Sequence, residues 1–138
     1  MRNAIILFML FALTACSSPS SKEPLTLEQV ITAFENEKLQ LQAADANPMN
    51  IVQQGINGVQ PSFYSLNNND TLYLFIFKSE ADRKQGREDF YNRPVDFAAH
   101  STYEINNALV LWFYGEDAEA NTDGRIRTTL SHLGTVQQ

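Results

Sequence analysis

The chain has 138 residues, enough for one domain, and 43% of them are apolar, which suffices for a hydrophobic core. Ten basic residues against sixteen acidic ones give a net charge of −6 at pH 7. An acidic domain is repelled by nucleic acid and by anionic headgroups, so we expect neither nucleic-acid binding nor direct headgroup binding. The single cysteine excludes an internal disulfide.

The first fifteen residues have the pattern of an export signal. Arg2 follows the initial methionine, and an apolar run extends from Ala4 to Leu13. Ten residues form a helix of only about 15 Å, whereas a hydrocarbon core of about 30 Å requires about 20 apolar residues. Residues 1–15 are therefore predicted to be a cleaved signal peptide rather than a permanent membrane span.

The cysteine follows this run in the sequence Leu13-Thr14-Ala15-Cys16. Leucine and two small residues before a cysteine form a lipobox, which predicts cleavage before Cys16 and attachment of a diacylglyceryl group to its thiol. Two acyl chains, at about 0.8 kcal/mol per buried methylene, anchor a protein stably. The alternative is an ordinary cleavage site beside a chance cysteine. Cleavage would remove Arg2 and leave the exported chain with a charge of −7, nine basic against sixteen acidic residues. Lipidation would leave it without a cysteine nucleophile or metal ligand.

Residues 16–24 are predicted to be the lipidated cysteine and a flexible tether. Ser17–Pro24 contains four serines, two prolines and no large apolar residue. Eight residues extend over at most roughly 26 Å, so a single α+β domain formed by residues 25–138 is expected to stay close to the membrane.

The domain is predicted to begin with an amphipathic helix that reaches about Leu39. Thr26 and Gln29 have the spacing of a capping box, and an apolar stripe follows at helical spacing, formed by Leu27, Val30, Ile31 and Phe34. Residues 40–60 contain Pro48, Gly55 and Gly58 and are interpreted as irregular structure.

The remainder contains two similar units, each with a strand, an asparagine-rich turn, an apolar strand and a helix. The strands are predicted at 63–66, 72–77, 102–105 and 109–114, with helices at 79–91 and from Asn121 or Thr122. The second strand of each unit is apolar on both faces and is expected at the centre, with its partner outside. The pattern predicts a four-stranded antiparallel sheet made of two hairpin-plus-helix units, with the N-terminal helix packed on the sheet.

The sequence contains no established catalytic motif. The histidines, His100 and His132, are the candidates for an alternative function as a small envelope hydrolase that pairs a histidine with a carboxylate. That alternative requires a histidine about 3 Å from a carboxylate and beside a concave pocket. Without such a pair, no catalytic residue is expected.

An acidic segment near the C-terminus partly matches a calcium-binding loop. Glu119, Asn121 and Asp123 alternate before Gly124, but the twelfth position is Leu130 instead of a bidentate glutamate. The simpler interpretation is an acidic loop before a helix whose first turn favours carboxylates. A weak calcium-binding adhesion module remains a third alternative, and we expect no metal or cofactor otherwise.

Two further groups of side chains have structural interpretations. The aromatic residues of the central strands are predicted to form core rather than a ligand-binding cleft; they are Tyr73, Phe75, Phe77, Trp112, Phe113 and Tyr114. Basic and acidic residues are interleaved along the middle helix, which predicts a solvated face. The basic residues are Lys78, Arg83, Lys84 and Arg87.

Three segments of the sequence resemble small lipoproteins of Gram-positive, spore-forming bacteria. These are the segments Asn57–Leu66, Ile76–Gly86 and Tyr103–Val110, within a similarity that covers about residues 25–134. The resemblance implies a single lipidated domain and carries only one site residue across, Cys16.

These patterns predict a lipoprotein anchored to the cell membrane on its extracytoplasmic face. We expect a non-enzymatic binding or accessory module whose partner is an envelope protein or a wall component.

Overall fold

The computed structural model describes residues 23–66 and 70–138. Its fold is α+β, as the sequence predicts, and the described residues form one open antiparallel sheet with strand order β1-β2-β3-β5-β4. The elements in chain order are α1 (Leu27–Asn36), β1 (Leu41–Ala43), a short 3₁₀ helix (Ile51–Gln54), β2 (Ser62–Leu66), β3 (Asp70–Ile76), α2 (Glu80–Tyr91), β4 (His100–Ile105), β5 (Ala108–Phe113) and α3 (Thr122–Ser131).

The sheet has five strands in the described residues, and the prediction of four was wrong by one. Leu41 pairs with Leu66, and Ala43 pairs with Tyr64, so β1 lies outside β2. The strand falls within the stretch interpreted as irregular. Consequently β2 is not an edge strand, whereas β4 lies at the edge, as expected.

The central strands β3 and β5 are covered on both faces, which explains why they are apolar on both. On one face, α1 and α3 contribute Val30, Phe34, Ile126 and Leu130 to a core that includes alternate strand residues, among them Leu72, Leu74, Val110 and Trp112. On the other face, α2 and the 3₁₀ helix contribute Phe90 and Val52 to a second core with Tyr73, Phe75, Leu109 and Leu111.

Both predicted hairpin-plus-helix units are present, but they are not arranged symmetrically. Each unit forms an antiparallel hairpin, β2–β3 and β4–β5, and the two hairpins join through β3 and β5. The helix of the first unit, α2, packs on one face of the sheet, and that of the second, α3, packs on the opposite face. The turn predicted at residues 67–70 lies mostly outside the described residues.

The helix boundaries follow local capping chemistry. Thr26 and Gln29 form the predicted capping box of α1, and Ser79 caps α2 by accepting a hydrogen bond from the Asp82 amide. Helix α1 ends at Asn36, earlier than the predicted Leu39, because the chain turns at Lys38 with a φ of 57°. Leu39 then enters the core.

Candidate functional site

The predicted lipid-attachment residue, Cys16, and the signal peptide before it lie outside the described residues. The first described contacts of the chain are made at the tip of the β4–β5 hairpin. The side-chain amide of Asn106 donates to the Glu23 carbonyl across 2.8 Å. Asn107 both accepts from the Leu25 amide, at 2.6 Å, and donates to the Leu25 carbonyl, at 3.0 Å.

Asn107 is a structural residue that sequence reasoning interpreted only as part of a turn. It is 1% exposed, and its second amide proton goes to the Phe77 carbonyl at 2.7 Å. Its side chain therefore joins the N-terminal segment, the end of β3 and the β4–β5 turn. The dipeptide Asn106-Asn107 predicts a turn, but no sequence pattern indicates that its side chains hold residues 23–25.

His100 lies at the other end of β4, in a group of aromatic rings. Its Nδ1 is 2.8 Å from the Ala98 carbonyl, and its Nε2 is 3.0 Å from the Tyr91 hydroxyl. Because a carbonyl only accepts, Nδ1 carries a proton and donates to Ala98. The Tyr91 hydroxyl also contacts the Thr102 hydroxyl.

Ring packing holds the imidazole of His100 in place. The ring stacks on Phe113 with centroids 4.7 Å apart, and Phe90 and Phe97 meet it edge-on at 5.9 Å. Both ring nitrogens are used by Tyr91 and Ala98, and neither partner is a carboxylate. His100 therefore lacks the predicted carboxylate partner and links the end of α2 to β4.

His132 follows α3 and lies beside a groove between that helix and α1. Its Nδ1 is 3.4 Å from a carboxylate oxygen of Glu37, and the two side chains are 60% and 36% exposed. The groove has a volume of about 450 Å³ and is lined by Glu28, Gln29, Thr32, Ala33, Asn36, His132 and Leu133. A contact this exposed contributes little stability.

The two histidines do not form one site. His100 packs among rings on the α2 side of the sheet, whereas His132 belongs to the α1–α3 side. Among the described residues, neither histidine is hydrogen-bonded to a serine or threonine, which leaves both without a positioned nucleophile. Of the two, only His132 has both a nearby carboxylate and a recess.

The acidic segment proposed as a calcium loop has its central carboxylate engaged elsewhere. Asp123 lies in the first turn of α3, and its Oδ1 accepts from the Tyr103 hydroxyl at 2.6 Å. Its Oδ2 accepts from Arg127 Nε at 2.8 Å. In the two stretches that the structure covers, no cluster of three or more His, Cys, Asp or Glu side chains has the geometry to hold a metal ion.

These contacts shift two pKa values. Burial of its ring, followed by the hydrogen bond to Asp123, raises the pKa of Tyr103 far above its usual value. Partial burial acts to raise the pKa of Asp123, but the hydrogen bonds from Tyr103 and Arg127 outweigh burial and lower it. Tyr103 therefore stays protonated as a donor, and Asp123 stays charged as its acceptor.

The middle helix corrects one prediction. The sequence pattern predicts Arg83 on a solvated face, yet Arg83 is 1% exposed, with Nη1 2.5 Å from Oε2 of Glu104 on β4. Arg87 Nε lies 2.9 Å from the other oxygen of Glu104. Lys78 and Lys84 are exposed, as predicted. The partner is 21 residues away in sequence, so helical periodicity alone does not show that Arg83 is buried.

The aromatic strand residues belong mainly to the core, as predicted. Tyr73, Phe75, Phe77 and Trp112 are all at most 4% exposed, while Phe113 and Tyr114 are half-buried. The Trp112 indole donates to the buried carboxylate of Asp70 across 3.1 Å.

The chain has no match among family models, curated proteins or solved structures. In the part of the chain that the structure describes, no helix is both long and apolar enough to cross a membrane. The site residues therefore have to be interpreted from their own chemistry.

Proposed function

We propose that the chain is a lipoprotein anchored through Cys16 to the extracytoplasmic face of the cell membrane, where its domain is a non-enzymatic binding or accessory module. One observation carries the proposal together with the lipobox. The Glu23 carbonyl accepts a hydrogen bond from Asn106 of the domain, and six residues lie between Cys16 and this contact, the first in the described part of the chain. The resemblance to small lipoproteins of spore-forming bacteria supports the same assignment.

The short separation between Cys16 and Glu23 keeps the domain close to the membrane. Seven Cα–Cα steps from Cys16 to Glu23 extend over at most about 25 Å, and a flexible chain of that length has a root-mean-square span of about 15 Å. Confinement to this layer raises the effective concentration of the domain toward any partner in the membrane or wall. The net acidity of the chain favours a protein or wall component over nucleic acid.

The anchor is tested by metabolic labelling. Cells expressing the wild-type chain or Cys16→Ser are grown with radioactive palmitate and then separated into membrane and released fractions. We expect label and membrane retention for the wild type only, because the variant lacks the thiol that accepts the lipid. Ser17→Ala is the matched control, since it changes the neighbouring residue and keeps the thiol. An unlabelled wild-type protein in the medium would contradict the proposal.

A second candidate function is hydrolysis in the groove between α1 and α3. It is favoured by the 3.4 Å contact between His132 and Glu37 beside that groove. The purified protein is assayed with small activated esters and with wall fragments. A hydrolase at this site loses its activity in His132→Ala and keeps it in His100→Ala. Equal background rates in the wild type and in His132→Ala would eliminate this candidate.

A further inference from the structure

Asn106 and Asn107 fix the direction in which the N-terminal segment leaves the domain. Asn107 pairs with both the N–H and the C=O of Leu25, as a neighbouring strand would. A buried amide whose partners are lost costs about 1–3 kcal/mol, so this contact is maintained. Asn106 then holds the Glu23 carbonyl. Residues 23–25 therefore run across the tip of the β4–β5 hairpin.

The two ends of the sheet consequently differ in their distance from Cys16. The tip of the β4–β5 hairpin lies at the same end of the sheet as Phe77, whose amide donates to the Asn107 carbonyl at 2.9 Å. The exposed Lys78 follows Phe77 at this end. β5 then runs away from this tip for six residues. At about 3.4 Å per residue, its far end is about 20 Å away.

Charge distinguishes the two ends in the same sense. The loop after β5 exposes three carboxylates, from Glu116, Asp117 and Glu119. A bilayer that contains anionic lipid repels these carboxylates, whereas the exposed charges at the other end are mixed in sign, with Lys78 near Glu23 and Glu80. Tether length and charge therefore favour the same orientation.

We propose that the β4–β5 turn is the bilayer-facing end of the domain, held there by the Asn106 and Asn107 contacts to residues 23–25. The acidic loop at 115–121 and the neighbouring surface around His100 and Tyr91 face away from the membrane. This inference rests on the lipid anchor proposed above.

The orientation is tested with two single-cysteine reporters in the lipidated protein, Lys78→Cys and Glu116→Cys. Both positions are exposed, and each introduced thiol is unique because Cys16 is acylated. Each variant is labelled with a fluorescent donor and reconstituted into vesicles of phosphatidylcholine and phosphatidylglycerol that contain a headgroup-labelled acceptor. The donor–acceptor pair is chosen so that transfer falls steeply over the length of the sheet.

We expect about twofold or greater transfer from position 78 than from position 116, because the two differ by about the length of β5. Equal transfer, or stronger transfer from position 116, would overturn the orientation. Vesicle flotation separates this failure from failure of the anchor. If the protein floats and Cys16→Ser does not, the anchor is correct and only the orientation is wrong. If neither floats, both proposals fail.

The role of the asparagines is tested in the same assay. Asn106→Gly keeps a residue that tolerates the φ of 47° at this position but removes the contact to Glu23. Asn107→Ala removes the two contacts to Leu25. We expect the difference between positions 78 and 116 to shrink in both variants, most in Asn107→Ala. If Asn107→Ala does not unfold cooperatively on heating, Asn106→Gly decides alone. An unchanged difference would refute the role assigned to the asparagines.

Discussion

Arg83 of α2 and Glu104 of β4 form an ion pair inside the domain, with side chains 1% and 10% exposed. Arg87 reaches the second oxygen of the same carboxylate from the helix surface. Glu104 therefore balances a buried guanidinium on the face of the sheet that α2 covers. This contact fixes the position of α2 relative to the strand that ends at the Asn106–Asn107 turn.

Glu104→Ala is expected to destabilise the domain by about 3 kcal/mol, because breaking a buried pair leaves the charge of Arg83 without compensation. Lys84→Ala is the control, since its pair with Glu80 is exposed and contributes no more than about 0.5 kcal/mol. Urea unfolding of both variants measures the two losses. Equal losses would mean that the buried pair contributes no more than the surface pair.

The Tyr103–Asp123 contact predicts a pH dependence. The pKa of Asp123 is lowered in the folded state, so the contact adds stability above the unfolded-state pKa of about 3.9. That stability is lost as pH falls through the folded-state pKa. The stability difference between the wild type and Asp123→Asn, measured by urea unfolding, should be largest near pH 7 and should shrink as the pH falls below about 4.

Asp117→Asn is the matched control for this measurement, because Asp117 is exposed in the loop before α3. It should show no comparable change with pH. A gap between the wild type and Asp123→Asn that stays constant down to pH 3 would contradict the assignment of the charged carboxylate to this contact.

Two helical glycines should respond to alanine in opposite directions. A Cβ on Gly124 would meet no atom within 4 Å, so Gly124→Ala should stabilise α3 by about 0.5–1 kcal/mol through helix propensity. A Cβ on Gly86 would lie 2.5 Å from the buried ring of Phe77, so Gly86→Ala should cost about 1–3 kcal/mol. Thermal unfolding of the two variants gives the signs: stabilisation by Gly86→Ala would contradict the close contact with Phe77, and destabilisation by Gly124→Ala would contradict the open space beside α3.

Calcium should not bind at the acidic segment, because both oxygens of Asp123 are already occupied by Tyr103 and Arg127. Isothermal titration calorimetry with millimolar calcium is expected to show only the heat of dilution. A saturable heat that disappears in Glu119→Gln would instead restore the calcium-binding alternative.

The sequence predicts those elements whose signal is local. The capping box of Thr26 and Gln29 marks the start of α1, and Ser79 marks that of α2. The central strands are recognisable because residues such as Leu74 and Phe75 are apolar on opposite faces. Such patterns depend only on neighbours along the chain.

The elements that sequence reasoning missed depend on distant partners. β1 is only three residues long, Leu41–Ala43, which is too short for alternation of apolar and polar residues to indicate a strand, so its pairing with β2 is not visible in the sequence. Burial of Arg83 depends on Glu104. The structural role of Asn107 depends on its hydrogen bonds to Leu25, 82 residues away. For the candidate site, the lipobox is a local motif, whereas the groove beside His132 appears only when α1 and α3 pack together.

The backbone hydrogen bonds of Glu104 affect how readily crowded copies of the chain can pair through the edge of the sheet. Its N–H and C=O are both bonded to Gln137 at 2.9 Å, and β1 at the opposite margin has only three residues. Where copies of a chain are crowded, exposed strand edges can pair and join the copies into aggregates. A neighbour approaching β4 finds the backbone of Glu104 already paired, which limits strand pairing between copies at this edge.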